Sequence, residues 1–392
     1  MYPLNLIYLD NNATTPIAPE VRDAVLPYLG EHFGNPSSLH RVGAVAATAL
    51  KEAREKSAAF LNCRESELVF TSGGTESNNA AISGVLEAAP HKRHVITTRV
   101  EHPSVLEYCR FLEDTGYKVT FLGVDRDGRL DLDELDNAIT DETALVSIMF
   151  ANNETGVVFP IDKIVDVVKP HGVPLHVDAV QAAGKIPLDM TKTHADLLAI
   201  SGHKLHAPKG VGLLYIRRGT RTSPFIIGGG QERGRRSGTE NIPAIVGFGK
   251  ALEMAGGNMT AKIERIRRLR DALENGILAN TPSAIRNGTA DSRIPNTANI
   301  SFDGVEGEAI LLLMDEAGIC ASSGSACATG AIEPSHVLKA MGVPNSLAHG
   351  SVRFSLSRYN TGEEIDRVVD LIPGIVKRLN RLSESVPNRK RS

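Results

Sequence analysis

From about residue 67 to residue 216, apolar runs of strand length alternate with longer stretches whose apolar positions recur every three or four residues. The runs Glu67–Thr71, His94–Thr98, Lys118–Leu122, Ala144–Phe150, Pro174–Asp178, Asp196–Ile200 and Val211–Ile216 predict seven strands. Between them, Glu76–Glu87, Pro103–Glu113 and Ile161–Lys169 predict helices, and the alanine-rich Ser38–Leu61 predicts a long one upstream. Strands that alternate with helices read as βα units, so the expected architecture is α/β with a mostly parallel seven-stranded sheet.

The pattern changes after the last of these strands. Ser223–Arg236 is rich in glycine and arginine, Ile242–Asn280 is largely helical, and the remainder mixes strands (Thr297–Phe302, Ser351–Leu356) with helices (Glu306–Ala317, Gly362–Leu382). This predicts a large α/β domain over 15–255 and a smaller α+β domain formed by 1–14 and 256–392. At 392 residues and 42% hydrophobic content, the chain can bury two such cores.

A formal net charge of −3 gives no general reason to expect nucleic acid or anionic membrane as a partner, the short basic tail Asn388-Arg389-Lys390-Arg391-Ser392 being the exception. The start of the chain has no basic stretch followed by a long apolar one, and no later apolar run is long enough to cross a bilayer, so a cytoplasmic protein is expected. The cysteines Cys63, Cys109, Cys320 and Cys327 are too few and too scattered for a disulfide framework. Cys320, Cys327 and His336 do not have zinc spacing, and no intrinsic metal is expected.

Polar residues gather where strands end. Lys204 follows the apolar run Asp196–Ile200 and precedes Val211–Ile216, the setting of a desolvated amine that could form an imine. Thr71-Ser72-Gly73-Gly74-Thr75-Glu76 is a strand, a glycine turn and a helix start, the construction of a phosphate cradle, with Thr75 available as a cap. Asp178 ends a strand and could pair with a protonated ring nitrogen; Gln181, expected at the start of the next helix, would reach a neighbouring ring oxygen. Glu101-His102-Pro103-Ser104 and Asn152-Asn153-Glu154-Thr155-Gly156 follow two further strands, and His102 could lie against a flat ring. Each could be an ordinary polar loop, but lysine, aspartate, glycine turn and histidine at successive strand ends are the parts pyridoxal phosphate requires.

Five segments, Leu9-Asp10-Asn11-Asn12-Ala13-Thr14-Thr15, Ser72-Gly73-Gly74-Thr75-Glu76-Ser77, Val177-Asp178-Ala179-Val180-Gln181, Ser201-Gly202-His203-Lys204 and Ser322-Ser323-Gly324-Ser325-Ala326-Cys327, together resemble the cysteine desulfurases of the NifS/IscS class. The resemblance covers residue 7 to about residue 380; two further segments, His206–Gly212 and Phe354–Tyr359, look closer to the NifS branch. It implies a fold-type-I, pyridoxal phosphate-dependent homodimer that converts L-cysteine to L-alanine and passes the sulfur, carried as a persulfide on Cys327, to acceptors such as iron–sulfur cluster scaffold proteins. By the same resemblance, Lys204 would hold the cofactor covalently, Asp178 its ring nitrogen and Gln181 its ring hydroxyl. His102 would stack on the ring and assist proton transfer. Gly74, Thr75, Ser201 and His203 would hold the phosphate, joined by Thr239 of the partner subunit. Asn153, Asn35 and Arg353 would orient the substrate, with Arg353 on its carboxylate.

The small residues around Cys327 are unsuited to core packing, and a mobile loop over about 321–332 is expected, able to bring the thiol to the cofactor, with transient contact to iron at delivery. Alternatives of the same fold are a selenocysteine lyase and an aminotransferase, the latter having no use for Cys327. A non-catalytic sulfur carrier would leave Asp178, Gln181 and Lys204 unexplained.

Overall fold

The structure, a computed structural model, describes residues 6–323 and 334–385. Its strands in chain order are β1 (Ile7–Tyr8), β2 (Leu68–Thr71), β3 (His94–Thr98), β4 (Lys118–Leu122), β5 (Thr143–Met149), β6 (Leu175–Asp178), β7 (Leu197–Ser201), β8 (Gly212–Ile216), β9 (Ala284–Arg286), β10 (Thr297–Phe302), β11 (Ile319–Cys320) and β12 (Ser351–Ser355). The seven anticipated α/β strands form one sheet, in the order β2-β8-β7-β6-β5-β3-β4. Only β8 runs against its neighbours; the other pairings are parallel.

The strands of this sheet are buried on both faces, which is why they read as continuous apolar runs and not as alternating ones. β4 is the exception: its Lys118 is exposed, as suits an edge. Because the strands other than β8 share one direction, their carboxyl ends open on a single crevice, where ligands bind in open α/β sheets.

A second, antiparallel sheet of order β12-β10-β9 packs with helices Met259–Asn280, Gly307–Glu316 and Gly362–Ser385 around its own core, which includes Phe302, Phe354, Met314 and Ile372. Ile7 and Leu9 belong to that core, and β1 pairs parallel with β11. The helices Ile242–Gly256 and Met259–Asn280 meet at Gly257 and Asn258, the latter left-handed at φ 50°. Leu252 packs into the first core and Leu273 into the second. No helix among the described residues is long and apolar enough to cross a membrane.

Two local expectations need correction. Gln181 does not open a helix: Ala183 N–H bonds back to Ala179, but Gly184 turns left-handed at φ 71° and Pro187 follows, so the segment stays a series of turns. Thr75 is not a cap, because the helix Gly74–Ala88 starts two residues earlier than expected, with Gly73 as its N-cap and with no side chain capping it.

Candidate active site

A cavity of about 400 Å³ lies at the carboxyl ends of the parallel strands. β2 delivers Gly74 and Thr75, β3 His102, β5 Asn153, β6 Asp178 and Gln181, and β7 Ser201, His203 and Lys204; Arg353 enters from β12 of the second sheet. Asn35 and Thr239 are not in it. Asn35 is exposed and its side chain accepts from Ser37 N–H at 2.9 Å, while Thr239 lines a separate space of about 180 Å³ with Thr71, Ser72 and Arg236. Cys327 and most of its expected loop lie outside the described residues. A more voluminous cavity, about 570 Å³, opens at the amino ends of the strands among Lys92, Lys169 and Arg217, and holds none of the expected site residues.

Lys204 ends a single 3-10 turn, Gly202–Lys204, in the tight connection from β7 to β8. Its Nζ donates to the carbonyls of Asn12 and Ala13, each at 2.6 Å, so the N-terminal segment forms one wall of the site. The start of β8 comes so close to the glycine turn that a Cβ on Gly212 would lie 2.7 Å from the Gly73 backbone. Only glycine lets the cradle and the lysine turn approach in this way.

Asp178, buried at the end of β6, accepts from Val180 N–H at 2.9 Å and from Asn78 Nδ2 at 2.8 Å. Gln181 has its amide orientation set by two partners: Lys185 Nζ donates to its Oε1 at 2.5 Å, and its Nε2 donates to the Asn12 carbonyl at 3.0 Å. Burial, followed by the nearby Lys204 and Arg353, pushes the Lys185 amine well below its ordinary value. His203 is likewise pushed down, to about 4, by burial and then by Lys204, so it is neutral at physiological pH.

Arg353 pairs with Asp10 at 2.8 Å through Nη2 and donates through Nη1 to the Asn153 carbonyl at 3.0 Å. Its Nε and the Asn153 Oδ1 are buried without a hydrogen-bond partner. Buried polar atoms without partners are uncommon, and these two, one donor and one acceptor, suit the carboxylate and amine of an amino acid. The glycine cradle, the buried carboxylate of Asp178 and the lysine amine likewise fit an anionic phosphate, a cationic ring nitrogen and an aldehyde. The donor set therefore fits pyridoxal phosphate.

Beneath this cavity, Glu101 is fully buried; Oε1 accepts from Thr98 Oγ1 at 2.8 Å and Met149 N–H at 3.0 Å, and Oε2 has no partner. Burial raises its carboxyl from the usual 4.5 to about 8, against the pull of those two bonds. A carboxyl raised in the folded state stabilises the fold fully below the unfolded value, and that contribution is lost as pH rises toward the folded value. Glu101→Gln, which cannot ionise, should therefore gain stability relative to wild type by about 1.4 kcal/mol per pH unit between those limits. Denaturant unfolding at pH 5 and pH 8 measures it; equal pH dependence in the two proteins would exclude an uncharged Glu101.

Sequence reading alone missed Asn78, Ser104, Lys185, Asp10 and His336, whose Nε2 lies 3.0 Å from the Glu101 carbonyl. Asp10 falls within the segment Leu9–Thr15 and Ser104 directly follows His102-Pro103, but nothing in either neighbourhood indicates the partner.

Comparison with known proteins agrees with this geometry. The aminotransferase class-V family matches residues 7–368. The chain is 57% identical over 380 residues to a cysteine desulfurase of Trichormus azollae, spanning 97% of this chain and 95% of that one. It is 53% identical over 378 residues to the cysteine desulfurase NifS of Azotobacter vinelandii, spanning 96% and 94% of the two. Among solved structures, a NifS-like protein superposes with a TM-score of 0.90 at 40% identity, over 95% of this chain and all of that one. A match of this extent, joined to lysine, aspartate and histidine at the strand ends of one crevice, establishes that the chain belongs to the aminotransferase class-V family.

Proposed function

We propose that the chain is a pyridoxal phosphate-dependent cysteine desulfurase, which converts L-cysteine to L-alanine and passes the sulfur through Cys327 to an acceptor. The observation that carries this reading is the convergence of Lys204, Asp178, His102 and Arg353 on one cavity with partnerless atoms suited to an amino acid. When bound, the cofactor supplies an electron sink for the bond changes at the substrate.

The chain's own residues then divide the work. Lys204 anchors the cofactor until substrate arrives, after which its Nζ takes the substrate α-proton. Asp178, held by Asn78 and by the Val180 N–H, keeps the ring nitrogen protonated, and Gln181 turns an amide N–H toward the ring hydroxyl. Gly74, Thr75, Ser201 and His203 receive the phosphate. Arg353 binds the substrate carboxylate, and Asn153 its amine.

The Cys327 thiolate attacks the substrate sulfur. An S–S bond forms as the C–S bond breaks, the released electron pair stays with the substrate and the β-carbon takes a proton, and Lys204 Nζ returns the proton it holds to the α-carbon to complete alanine. Substrate cysteine plus enzyme thiol thus balances alanine plus enzyme persulfide. The other thiols are poor nucleophiles, because burial pushes Cys63 and Cys109 up to about 12 and raises Cys320 as well.

The proposed enzyme is a homodimer that acts in the cytoplasm and delivers sulfur to an acceptor such as an iron–sulfur cluster scaffold. Leu29, Phe33, Leu39 and Ile227 are exposed large apolar side chains, a composition suited to an interface. A second copy would also give a place to Thr239 of the partner subunit and to Asn35, which stand outside the cavity of their own chain.

Turnover tests the reading. Purified protein given L-cysteine should form alanine, with no keto acid, and only in the presence of pyridoxal phosphate. A keto acid in place of alanine would replace this reading with transamination.

A further inference from the structure

His102 caps the helix Pro103–Asp114, and the manner of its capping constrains its chemistry. Its Nδ1 accepts from the Ser104 backbone N–H at 3.1 Å. An N–H can only donate, so Nδ1 must present its lone pair. The Ser104 hydroxyl lies 2.8 Å from the same nitrogen. Asn78 decides where that hydroxyl's proton points. One Nδ2 hydrogen of Asn78 goes to Asp178 Oδ2 at 2.8 Å and the other to Ser104 Oγ at 2.9 Å.

The Asn78 amide is fixed in this orientation, since its reversal would set Oδ1 against the Asp178 carboxylate; in the orientation found, Oδ1 is buried with no partner. With Oγ accepting from Asn78, the Ser104 proton is directed at His102 Nδ1. A buried line of hydrogen bonds thus joins the expected ring-nitrogen carboxylate to the expected stacking ring, through two residues that line the same cavity and have no assigned role in the reading above.

We infer that Asn78 and Ser104 are positioning residues that hold His102 as a neutral ring with its proton on Nε2, so that His102 serves the site as a hydrogen-bond donor and stacking surface and not as a base. Protonating Nδ1 would set an N–H against the Ser104 N–H and break the bond from its hydroxyl. Nε2 already carries its proton, so neither nitrogen is free to accept one from substrate, and proton removal falls to Lys204. The groups facing the ring are Asp178, which favours protonation, Lys204 and His336, which oppose it, and His203, whose own pKa the His102 ring helps to lower. Burial also opposes it and is the largest influence.

This deepens the desulfurase reading and rests on it for the word substrate, but its test does not depend on turnover. The full-length protein, loaded with pyridoxal phosphate and carrying nitrogen-15 histidine, is followed by NMR across about pH 6 to 8, the range where an unperturbed histidine titrates. The His102 resonances are identified by their loss in His102→Asn, which keeps a capping oxygen.

The expected result is an unprotonated Nδ1 and a protonated Nε2 throughout. In Ser104→Ala the ring's midpoint should rise by at least about half a unit, and Ser104→Thr, which keeps the hydroxyl, should behave as wild type. A proton on Nδ1, or a wild-type ring that titrates near the ordinary value with Ser104→Ala indistinguishable from it, would overturn the inference. Absence of alanine formation alongside the predicted resonances would sink the functional reading and leave the tautomer assignment standing.

Discussion

Lys204→Ala is expected to lose at least about 10³-fold in alanine formation, the upper part of what a positioned proton acceptor contributes, with covalent anchoring lost in addition. The fold should survive. The side chain's bonds to the carbonyls of Asn12 and Ala13 are at the wall of a cavity, and losing such bonds costs about 1–3 kcal/mol in all. The variant should bind pyridoxal phosphate without forming a borohydride-reducible lysine link. Added methylamine, small enough to enter the space vacated by the side chain, should restore part of the rate. Turnover near the wild-type rate, or a persisting reducible link, would show that another residue anchors the cofactor.

Asp178→Asn is the second large effect. Asp178 uses both oxygens, Oδ1 for the Val180 N–H and Oδ2 for Asn78 Nδ2, so asparagine, with a single acceptor oxygen, keeps one of these bonds and sets its amide N–H₂ against the other donor. What it removes is the buried negative charge that keeps a ring nitrogen protonated. Taking away one preorganised electrostatic partner costs about 10²- to 10³-fold in kcat, and KM for L-cysteine should move far less because Asp178 does not face the substrate carboxylate. Stability should fall by about 1–3 kcal/mol, the cost of leaving one buried donor without its acceptor, partly offset because a neutral amide is easier to bury than a carboxylate. A full-rate Asp178→Asn enzyme would contradict the assignment.

Much of this site was legible because the residues that converge do so for a reason visible in one dimension. An apolar run followed by Asp, His or Lys marks a strand's carboxyl end, and strands of one direction bring such ends together. Hence Gly74, His102, Asn153, Asp178 and Lys204 could be anticipated to share a crevice, and they line one cavity. Arg353 came only through the resemblance; no spacing in the sequence places β12 of the second sheet against β5 and the N-terminal segment.

The residues that escaped notice hold other residues in place. Asn78 lies on the inward face of a helix and reads there as a polar residue in an amphipathic pattern; its partners Ser104 and Asp178 are 26 and 100 positions away. Lys185 reads as a loop lysine until the turn after β6 folds it onto Gln181. That same turn defeated the expectation of a helix at Gln181, where a left-handed Gly184 decided the local structure against the alanines around it. Glu101 is the clearest case of tertiary context: adjacent to His102 in sequence, it points into the core, where burial and not its neighbours determines its charge.

The central claim concerns a sulfur atom, and following that atom tests it most directly. Enzyme loaded with pyridoxal phosphate is given L-cysteine in a single turnover without an acceptor thiol, and both alanine and the peptide carrying Cys327 are analysed by mass. The prediction is one alanine for each Cys327 peptide heavier by one sulfur atom, with Cys327→Ser forming neither at a comparable rate. Alanine released at the wild-type rate by Cys327→Ser, or sulfur appearing only as free sulfide with the Cys327 peptide unmodified, would contradict it.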